Sequence, residues 1–419
     1  MFKKMIMTAI AMSLSASLYA GFSFDDPKKN NFKTELSNAG INAPAPVPSA
    51  ANEKPLKEWT IMVFVNGKNN LEVFALKDMN EMEMIGSTDK INIVTEIGRV
   101  ADYDSSDGDW VGSRRYLVQK DSDMTKIASP IVADLGKVDM GDHKHLIEFG
   151  NWAKANYPAK KYMLIVWNHG SGWDKVRLRA DKGISYDDET NNHISTPQLG
   201  LALKGIGGVD VYGSDACLMQ LPEVNYEIKD YTEYIVGSEE TEPGDGYTYD
   251  MFLGPLAANP SMTPEQVGKL AVDAYSDHYQ ALGQGSTQSL VKTSALDGLV
   301  SLINDFVAAA ITANEKALVI HAADYAQSFS GSNRDLWHFL ELYAASSSSA
   351  EVKTKAKGLQ DYLLGSLVAH NRVNGVYADG NTRGLAIYLT TYFFDPAYNE
   401  LAWAKATQWD ELMNWYLAR

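Results

Sequence analysis

The feature that most constrains the fold is a set of short, nearly continuous apolar runs separated by helix-like segments. The runs are WTIMVFV (59–65), INIVTEI (91–97), KYMLIVW (161–167), VDVYGS (209–214) and EYIVGS (233–238). Apolar residues at consecutive positions are typical of strands covered on both faces. Strands that alternate with helices are typically parallel and joined by right-handed crossovers. The sequence therefore predicts an α/β fold with a mainly parallel sheet flanked by helices.

The first twenty residues have the composition of a secretory signal peptide. Lys3 and Lys4 precede an apolar run, and small residues follow it up to Ala20, which is the order of regions in an export signal. An N-terminal anchor helix is the alternative, but three serines interrupt a run that is already short for a bilayer. We therefore expect an exported protein, periplasmic or extracellular, without stable membrane insertion once residues 1–20 are removed.

The rest of the chain falls into three parts. Residues 21–57 are polar and then rich in alanine and proline, which favours a flexible linker or propeptide. Residues 58–254 carry the strands of the predicted sheet. Residues 255–419 are mainly helical, with strand-like runs at 286–293 and 384–390 that could return to the sheet. Helices in this last part are predicted at 264–282, 295–318, 334–345 and 351–369.

Charge and cysteine content narrow the range of functions. The formal net charge is −16, so the chain has no overall basic surface for nucleic acid. Cys217 is the only cysteine, and one cysteine cannot form a disulfide within its own chain. In an exported protein such a thiol is an intermolecular bridge, a buried core residue or a nucleophile.

Two predicted strands are followed by side chains that can do chemistry. The run at 161–167 leads into His169, and the run at 209–214 leads into Asp215 and Cys217. In an open α/β sheet, ligands bind at the carboxyl ends of the strands. If the two strands are neighbours, His169 and Cys217 lie at the same edge, where an imidazole can activate a thiol. Taken alone, His169 can equally be a structural histidine.

The histidine is followed by Gly170, Ser171 and Gly172. Glycines let a substrate backbone approach closely, and a free amide here can help to bind an oxyanion. An ordinary turn is the alternative. The separation of 48 residues between His169 and Cys217 matches the spacing in caspases, although the caspase signature around the cysteine is absent.

Four segments resemble the clostripain family of cysteine peptidases, relatives of caspases, legumains and gingipains. They occur in the expected order, and the region after about residue 255 resembles the family only loosely. The segments are WTIMVFVNGKNNLE (59–72), MGDHKHLIEFGNWAKANYPAKKYMLIVWNHGSGW (140–173), SDACLMQLPEV (214–224) and GSEETEPGDGY (237–247). The resemblance implies a caspase-like sheet with a largely helical C-terminal region.

The resemblance also implies roles for individual residues. His169 would be the catalytic base or imidazolium partner and Cys217 the nucleophile, with the amides of Gly170 and Cys217 as the oxyanion hole. Asp215 would receive a basic substrate side chain, so that cleavage follows arginine or lysine; a carboxylate pairs well with a guanidinium group. A helix N-cap is the alternative role for Asp215. Asp245 is a weaker candidate for the pocket wall, and a solvated acidic loop is its alternative.

Members of this family are often made as zymogens that are nicked between the histidine and the cysteine. The segment DKVRLRADKG offers Lys175, Arg177, Arg179 and Lys182 as sites for self-cleavage. A solvated basic loop is the alternative explanation of these charges.

Other function classes have less support. A serine hydrolase would use a G-x-S-x-G elbow, which the chain lacks. A zinc hydrolase has only the DHKH sequence in its favour, because His143 and His145 do not share a helix face and no HExxH exists. An inactive secreted binding or adhesion protein on the same fold would have no need to keep His169, Asp215 and Cys217 together.

The sequence therefore predicts a secreted cysteine endopeptidase that acts on proteins or peptides containing basic residues. No metal or cofactor is implied by a motif. Calcium dependence occurs in part of the family that the chain resembles, but no calcium-loop pattern is visible.

Overall fold

The computed structural model describes residues 56–173 and 182–418, and the residues from Leu56 onwards form one compact unit. Up to Gly237, helices separate single strands or groups of three strands. The strands of this part are β1 (Lys57–Gly67), β2 (Ile91–Arg99), β3 (Gly112–Leu117), β4 (Ile131–Gly136), β5 (Ala159–Trp167), β6 (Ile184–Asp187), β7 (Asn192–Ile194), β8 (Val209–Asp215) and β9 (Thr232–Gly237). Its helices are α1 (Glu72–Ile85), α2 (His143–Asn156), α3 (Thr196–Ile206) and α4 (Pro222–Ile228).

The remaining residues are mostly helical. The helices are α5 (Tyr249–Ala258), α6 (Pro264–Leu282), α7 (Leu296–Ala313), α8 (Lys316–Tyr325), α9 (Leu336–Ser346), α10 (Ala350–Tyr362), α11 (Ala402–Ala406) and α12 (Trp409–Leu417). The strands are β10 (Ser286–Lys292), β11 (Asn333–Asp335), β12 (Val368–Asn374) and β13 (Ala386–Tyr388).

Nine strands form one sheet in the order β12-β10-β9-β8-β5-β1-β2-β3-β4. The five central strands, from β9 to β2, are parallel to one another. Antiparallel strands extend the sheet at both edges. This mainly parallel sheet with helices on both faces confirms the predicted fold class.

Alternate residues of the central strands enter two separate cores. Ile61 and Val63 of β1 pack with α1, α5 and α6 on one face of the sheet, and Met62 and Phe64 pack with α2, α3, α4 and α7 on the other. All four side chains are fully buried. Successive side chains of a strand point to opposite faces, so coverage of both faces explains why the strand sequences are apolar at nearly every position.

The predicted helix at 351–369 was wrong in its last part. Helix α10 ends at Tyr362, a π-helical turn covers Leu363–Leu367, and Val368–Asn374 forms β12 beside β10. Strand β12 lies at the edge of the sheet, and most of its residues are half-buried and polar. It therefore lacks the apolar run by which buried strands are recognised.

Two other predictions in the C-terminal part also need correction. The run at 384–390 does not return to the main sheet, because β13 pairs with β11 in a separate two-stranded sheet. The helix predicted at 295–318 ends at Ala313, since Asn314 adopts a left-handed conformation with φ of 54°. Asparagine tolerates this conformation better than most residues, and a second helix, α8, follows.

Among the described residues, one helical segment, Thr293–Ala313, is long and apolar enough to cross a membrane by length and composition alone. Its side chains Leu299, Ile303 and Phe306 are fully buried in the core beneath the sheet. Packing inside the protein therefore accounts for its apolar character.

The loop after β9 is joined to the C-terminal part by two buried carboxyl groups, Glu239 and Asp335. The amide of Gly384 donates to Oε2 of Glu239 at 3.0 Å, and the amides of His338 and Arg383 donate to Asp335 at 2.8 and 2.6 Å. Burial raises the pKa of Asp335 to about 7. Burial and the charge of Asp335 raise the pKa of Glu239 well above its usual range. Both pKa shifts favour the protonated carboxyls near neutral pH, and a proton shared between the two would stabilise this junction.

We expect thermal stability to fall as the pH rises from about 4, where the unfolded carboxyl ionises, to about 7, where the folded one does, and to level off above that, because a carboxyl whose pKa is raised by folding stabilises the protein only while it keeps its proton. Each proton held by the folded state alone changes the unfolding free energy by about 1.4 kcal/mol per pH unit. In Glu239→Gln an amide N–H replaces the shared proton, so calorimetry should show a melting temperature that depends less on pH. Glu240→Gln, on the same loop, should keep the wild-type dependence; an identical slope in both variants would contradict the shared proton.

Candidate active site

The parallel pairing of β5 with β8 places the predicted site residues. In this register Trp167 lies opposite Asp215, and the amide of Asn168 donates to the Asp215 carbonyl at 3.1 Å. His169 and Cys217 each follow this pair by two residues. Because parallel strands end at the same edge of a sheet, both side chains emerge there together.

A cavity of about 200 Å³ lies at this edge, and both side chains line it. Asp215 contributes to the same wall. The full lining consists of Leu71, Trp167, Asn168, His169, Asp215, Ala216, Cys217, Glu242, Pro243, Gly244 and Gly246. Thiol, imidazole and carboxyl groups therefore share one small cavity that is open at the end of the strands.

The segment after His169 packs directly on the segment around Cys217. A Cβ atom on Gly170 would lie 2.4 Å from the carbonyl oxygen of Cys217 and 3.2 Å from its amide nitrogen. A Cβ on Gly172, where φ is +53°, would lie 2.3 Å from the Leu218 carbonyl oxygen. Only glycine permits such an approach, so the two candidate oxyanion donors, Gly170 and Cys217, are brought side by side.

The thiol of Cys217 is half-buried next to the loop after β9. The amide of Glu242 donates to its sulfur at 3.3 Å. Burial, followed by the charge of Glu242, raises the pKa of Cys217 to about 11. The group is therefore a neutral thiol near neutral pH, and it needs a base to become a nucleophile.

Asp215 lines the cavity and is 4% exposed. Its carboxylate accepts hydrogen bonds from the amide of Tyr247 at 3.1 Å and from the hydroxyl of Tyr249 at 2.8 Å. Burial raises its pKa to about 7. Asp215 does not cap a helix, because α4 starts at Pro222 with Leu221 at its N-cap.

Asp245 does not line the cavity, contrary to the weaker expectation from the sequence. Its carboxylate pairs with Lys77 at 2.8 Å and faces His278 at 3.5 Å. The neighbouring Lys77 holds the pKa of Asp245 below its usual range. The acid of this segment that does enter the cavity is Glu242.

Of the four candidate cleavage positions, Lys175, Arg177 and Arg179 lie outside the described residues. Lys182 is described, and its ammonium group lies 2.6 Å from the Asp395 carboxylate and 3.7 Å above the Trp173 ring. Its side chain is 13% exposed, so Lys182 is engaged with the C-terminal part of the chain.

Comparison with known proteins identifies the family. The model of the clostripain family matches residues 63–415. The chain belongs to the clostripain family. It is therefore a cysteine endopeptidase that acts on proteins or peptides.

The chain is also similar to individual proteins, in sequence to one and in fold to two others. Clostripain from Hathewaya histolytica is 24% identical over 383 residues, which cover 79% of this chain and 70% of that protein. A secreted C11 cysteine protease from Bacteroides thetaiotaomicron, solved with an irreversible peptide inhibitor, has a TM-score of 0.63 at 20% identity and covers 84% of this chain and 99% of its own. An inactive zymogen C11 protease from Parabacteroides distasonis has a TM-score of 0.62 at 18% identity, with coverage of 84% and 98%.

Sequence reasoning missed two acids close to Asp215 in this clostripain-family chain. Asp78 of α1 is fully buried, and its Oδ2 accepts a hydrogen bond from the Trp167 indole at 2.6 Å. Burial and the charge of Asp215 raise its pKa well above the usual range. Glu242 lies in the acidic segment 237–247, but the order of acids along a loop does not show which side chain points into the cavity.

Among the described residues, no group of three or more His, Cys, Asp or Glu side chains could hold a metal ion.

Sequence reasoning also missed Asn70, whose Oδ1 lies 2.8 Å from Nε2 of His169. Asn70 follows β1, which pairs with β5 on the side away from β8. An amide oxygen can only accept, so in this contact Nε2 of His169 is the donor, and Nδ1 is the other nitrogen of the ring. The asparagines that follow β1 were visible in the sequence. A contact with His169 could not be predicted from them without knowing that β1 lies beside β5.

We expect Asn70→Ala to lower kcat by about tenfold to a hundredfold, because the ring is no longer held in one tautomer. KM should stay within about twofold, since Asn70 does not line the cavity. In Asn70→Asp a carboxylate should stabilise the imidazolium and shift the pH–rate profile upward. Peptide hydrolysis measured over a range of pH checks both variants.

The control for Asn70 is Asn156→Ala, whose amide donates to the Trp152 carbonyl within α2. It should retain wild-type kinetics. If Asn70→Asp left the pH profile unmoved, the hydrogen bond to His169 would be structural only.

Proposed function

We propose that this chain is a secreted cysteine endopeptidase that cleaves after arginine, and also after lysine, with His169 and Cys217 as its catalytic dyad. The observation that carries the proposal is the single cavity in which the thiol, the imidazole and the buried Asp215 carboxyl meet. A nucleophile, its base and a site for a cation are the three groups that this reaction needs.

The proposed reaction uses these groups in turn. Nδ1 of His169 takes the thiol proton, and the sulfur of Cys217 attacks the scissile carbonyl carbon. The amides of Gly170 and Cys217 stabilise the oxyanion of the tetrahedral intermediate. The imidazolium then donates its proton to the leaving amine, which leaves a thioester, and a water molecule activated by the same ring hydrolyses it.

Substrate selection is assigned to Asp215. The group lines the cavity that Cys217 also lines. A basic side chain next to the scissile bond would reach its carboxylate and exchange a solvated cation for a charge-assisted hydrogen bond. We do not include Asp245 in this role, because Lys77 already neutralises it.

Self-cleavage within residues 174–183 is proposed as the activation step of an exported protein. The segment holds four basic residues between the histidine and the cysteine, and one structural relative is described as an inactive zymogen. Because Lys182 is held by Asp395, we assign cleavage to Lys175, Arg177 or Arg179.

The signal-like residues 1–20 support export, as does the description of another structural relative as secreted.

The dyad and the specificity are tested with peptide amides that carry arginine, lysine or leucine before the scissile bond. We expect hydrolysis of the arginyl and lysyl substrates, loss of activity in Cys217→Ala and after treatment with iodoacetamide, and a KM raised about tenfold or more in Asp215→Asn. Leucyl cleavage at a comparable rate would contradict the assignment of Asp215. Absence of all turnover, even after nicking by another protease, would favour an inactive binding protein.

Self-cleavage is tested by purifying wild type and Cys217→Ala separately. Wild type should split into two chains whose new N-terminus follows Lys175, Arg177 or Arg179, and the Cys217→Ala protein should remain one chain until active enzyme is added. Lys182→Gln is the control and should be nicked normally. Splitting of Cys217→Ala by itself would rule out self-processing.

A further inference from the structure

Glu242 shares the substrate cavity with Asp215. It lies in the loop after β9, two residues before Gly244. Its backbone amide contacts the Cys217 sulfur, which places the residue beside the nucleophile. The backbone contact explains where the loop lies, but it does not explain why the side chain at this position is a carboxylate.

The Glu242 carboxyl is only partly satisfied by the protein. Oε1 accepts a hydrogen bond from the Gln288 amide at 3.3 Å. Oε2 is buried, and among residues 56–173 and 182–418 no donor contacts it. The Asp215 carboxyl lies close enough to share a hydrogen bond with it when one of the two is protonated. A buried carboxylate oxygen without a donor is costly, so this oxygen needs either a proton or a bound cation.

No lysine or arginine lines this cavity within the described chain. Lys77 lies nearby but is paired with Asp245 and Glu81 at 2.8 and 3.4 Å. The other titratable groups around Glu242, Asp215 and Cys217 are the cavity residue His169 and the groups coupled to them by charge or hydrogen bonds, which are Asp78, Glu81, Glu240, Tyr247, Tyr249, Tyr275 and Tyr279. Apart from His169, whose imidazole serves the thiol in the proposed reaction, these groups are anionic or neutral, so a cation that pairs with the two carboxylates has to come from the substrate.

We propose that Glu242 binds the cationic side chain of the substrate together with Asp215, as a second specificity residue of the cavity. The inference rests on the proposed cleavage after basic residues. On binding, the substrate cation takes the place of the proton shared by the two carboxyls, and that proton leaves to solvent. No covalent bond to Glu242 is formed.

Two carboxylates favour a guanidinium group over an ammonium group. Guanidinium presents five N–H donors in a planar fork and can contact both acids without bending, whereas an ammonium group is a compact, strongly hydrated charge. Glu242 therefore contributes more to the binding of an arginyl substrate than of a lysyl one. A preference for arginine over lysine would therefore arise from Asp215 and Glu242 acting together.

Glu242 can be altered without weakening the nucleophile. The charge of Glu242 raises the pKa of Cys217, and its backbone amide lowers it. Glu242→Gln removes the charge and keeps the amide, so the thiol should react with a small neutral reagent at least as fast as in wild type. The Glu242→Gln variant therefore separates an effect on binding of the substrate cation from an effect on the reactivity of the Cys217 thiol.

The test compares Glu242→Gln with Glu240→Gln. Glu240 belongs to the same loop and also acts on the charge state of Cys217, but its carboxylate contacts the Ser330 amide and the Tyr377 hydroxyl outside the cavity. We expect Glu242→Gln to raise KM for an arginyl peptide amide by about tenfold and for a lysyl one by less. Glu240→Gln should stay within about twofold, and iodoacetamide should modify Cys217 in both variants at no less than the wild-type rate.

The pH dependence gives a second readout. Burial raises the pKa of both Asp215 and Glu242, and the cation binds best when both are ionised. KM of wild type for the arginyl substrate should therefore fall as the pH rises through about 7, and KM of Glu242→Gln should change less. Calorimetry of acetyl-arginine amide with the Cys217→Ala protein, in two buffers of different ionisation enthalpy, should show proton release that Glu242→Gln abolishes.

An arginyl KM for Glu242→Gln equal to that of Glu240→Gln, with an unchanged pH profile, would overturn the role of Glu242. That result would leave the proposed function intact as long as wild type still prefers basic substrates; loss of that preference in wild type would instead refute the proposed function. Melting temperatures identify a folding defect in Glu242→Gln. If one occurs, Glu242→Asp, which keeps the charge with a shorter reach, should give an intermediate KM, and a wild-type KM there would also count against the proposal.

Discussion

The candidate site depends on the register between β5 and β8. Pairing of Trp167 with Asp215 sets the positions of His169 and Cys217, because each lies the same number of residues beyond the pair. A slip of one residue would turn the side chains of one strand to the opposite face. The fully buried residues on both faces of these strands oppose such a slip, so the packing of the two cores holds the imidazole and the thiol at one edge. The neighbouring strand β1 brings Asn70 to the same edge by the same means.

The positions of the strand ends alone would not make a rigid site. Close packing between the segment after His169 and the segment around Cys217 adds the rigidity. Leu218, next to the cysteine, is fully buried with φ of 64°, a conformation that costs a non-glycine residue about 1 kcal/mol or more. Its amide donates to the Glu240 carbonyl at 3.1 Å, and Gly172 packs on its carbonyl. The strain is therefore held from both sides, which fixes the orientation of the Cys217 backbone amide, the proposed oxyanion donor.

Much of this arrangement follows from local sequence, and the rest depends on contacts between distant segments. The buried strands were predictable because both faces are covered, and the pair of His169 and Cys217 was recognisable because both follow such strands. Strand β12 was not predictable, since an edge strand with half-buried polar side chains has no apolar run. The choice between Glu242 and Asp245 was not predictable either: Lys77 on α1 takes up Asp245, and only the packing of α1 against this loop brings that lysine there.

The loop between β9 and α5 connects the cavity with the C-terminal part through two pairs of neighbouring carboxyl groups. Glu239 faces Asp335 on one side, and Glu242 faces Asp215 on the other. Between them, the loop backbone contacts Leu218 and the Cys217 sulfur. Both pairs lose stability as carboxyls ionise, but under the proposed specificity only the pair in the cavity exchanges its proton for a substrate cation. A cationic substrate would then stabilise the part of the loop next to Cys217 under conditions in which the other pair weakens. The proposed specificity thus links recognition of positive charge to the order of the loop that contacts the thiol.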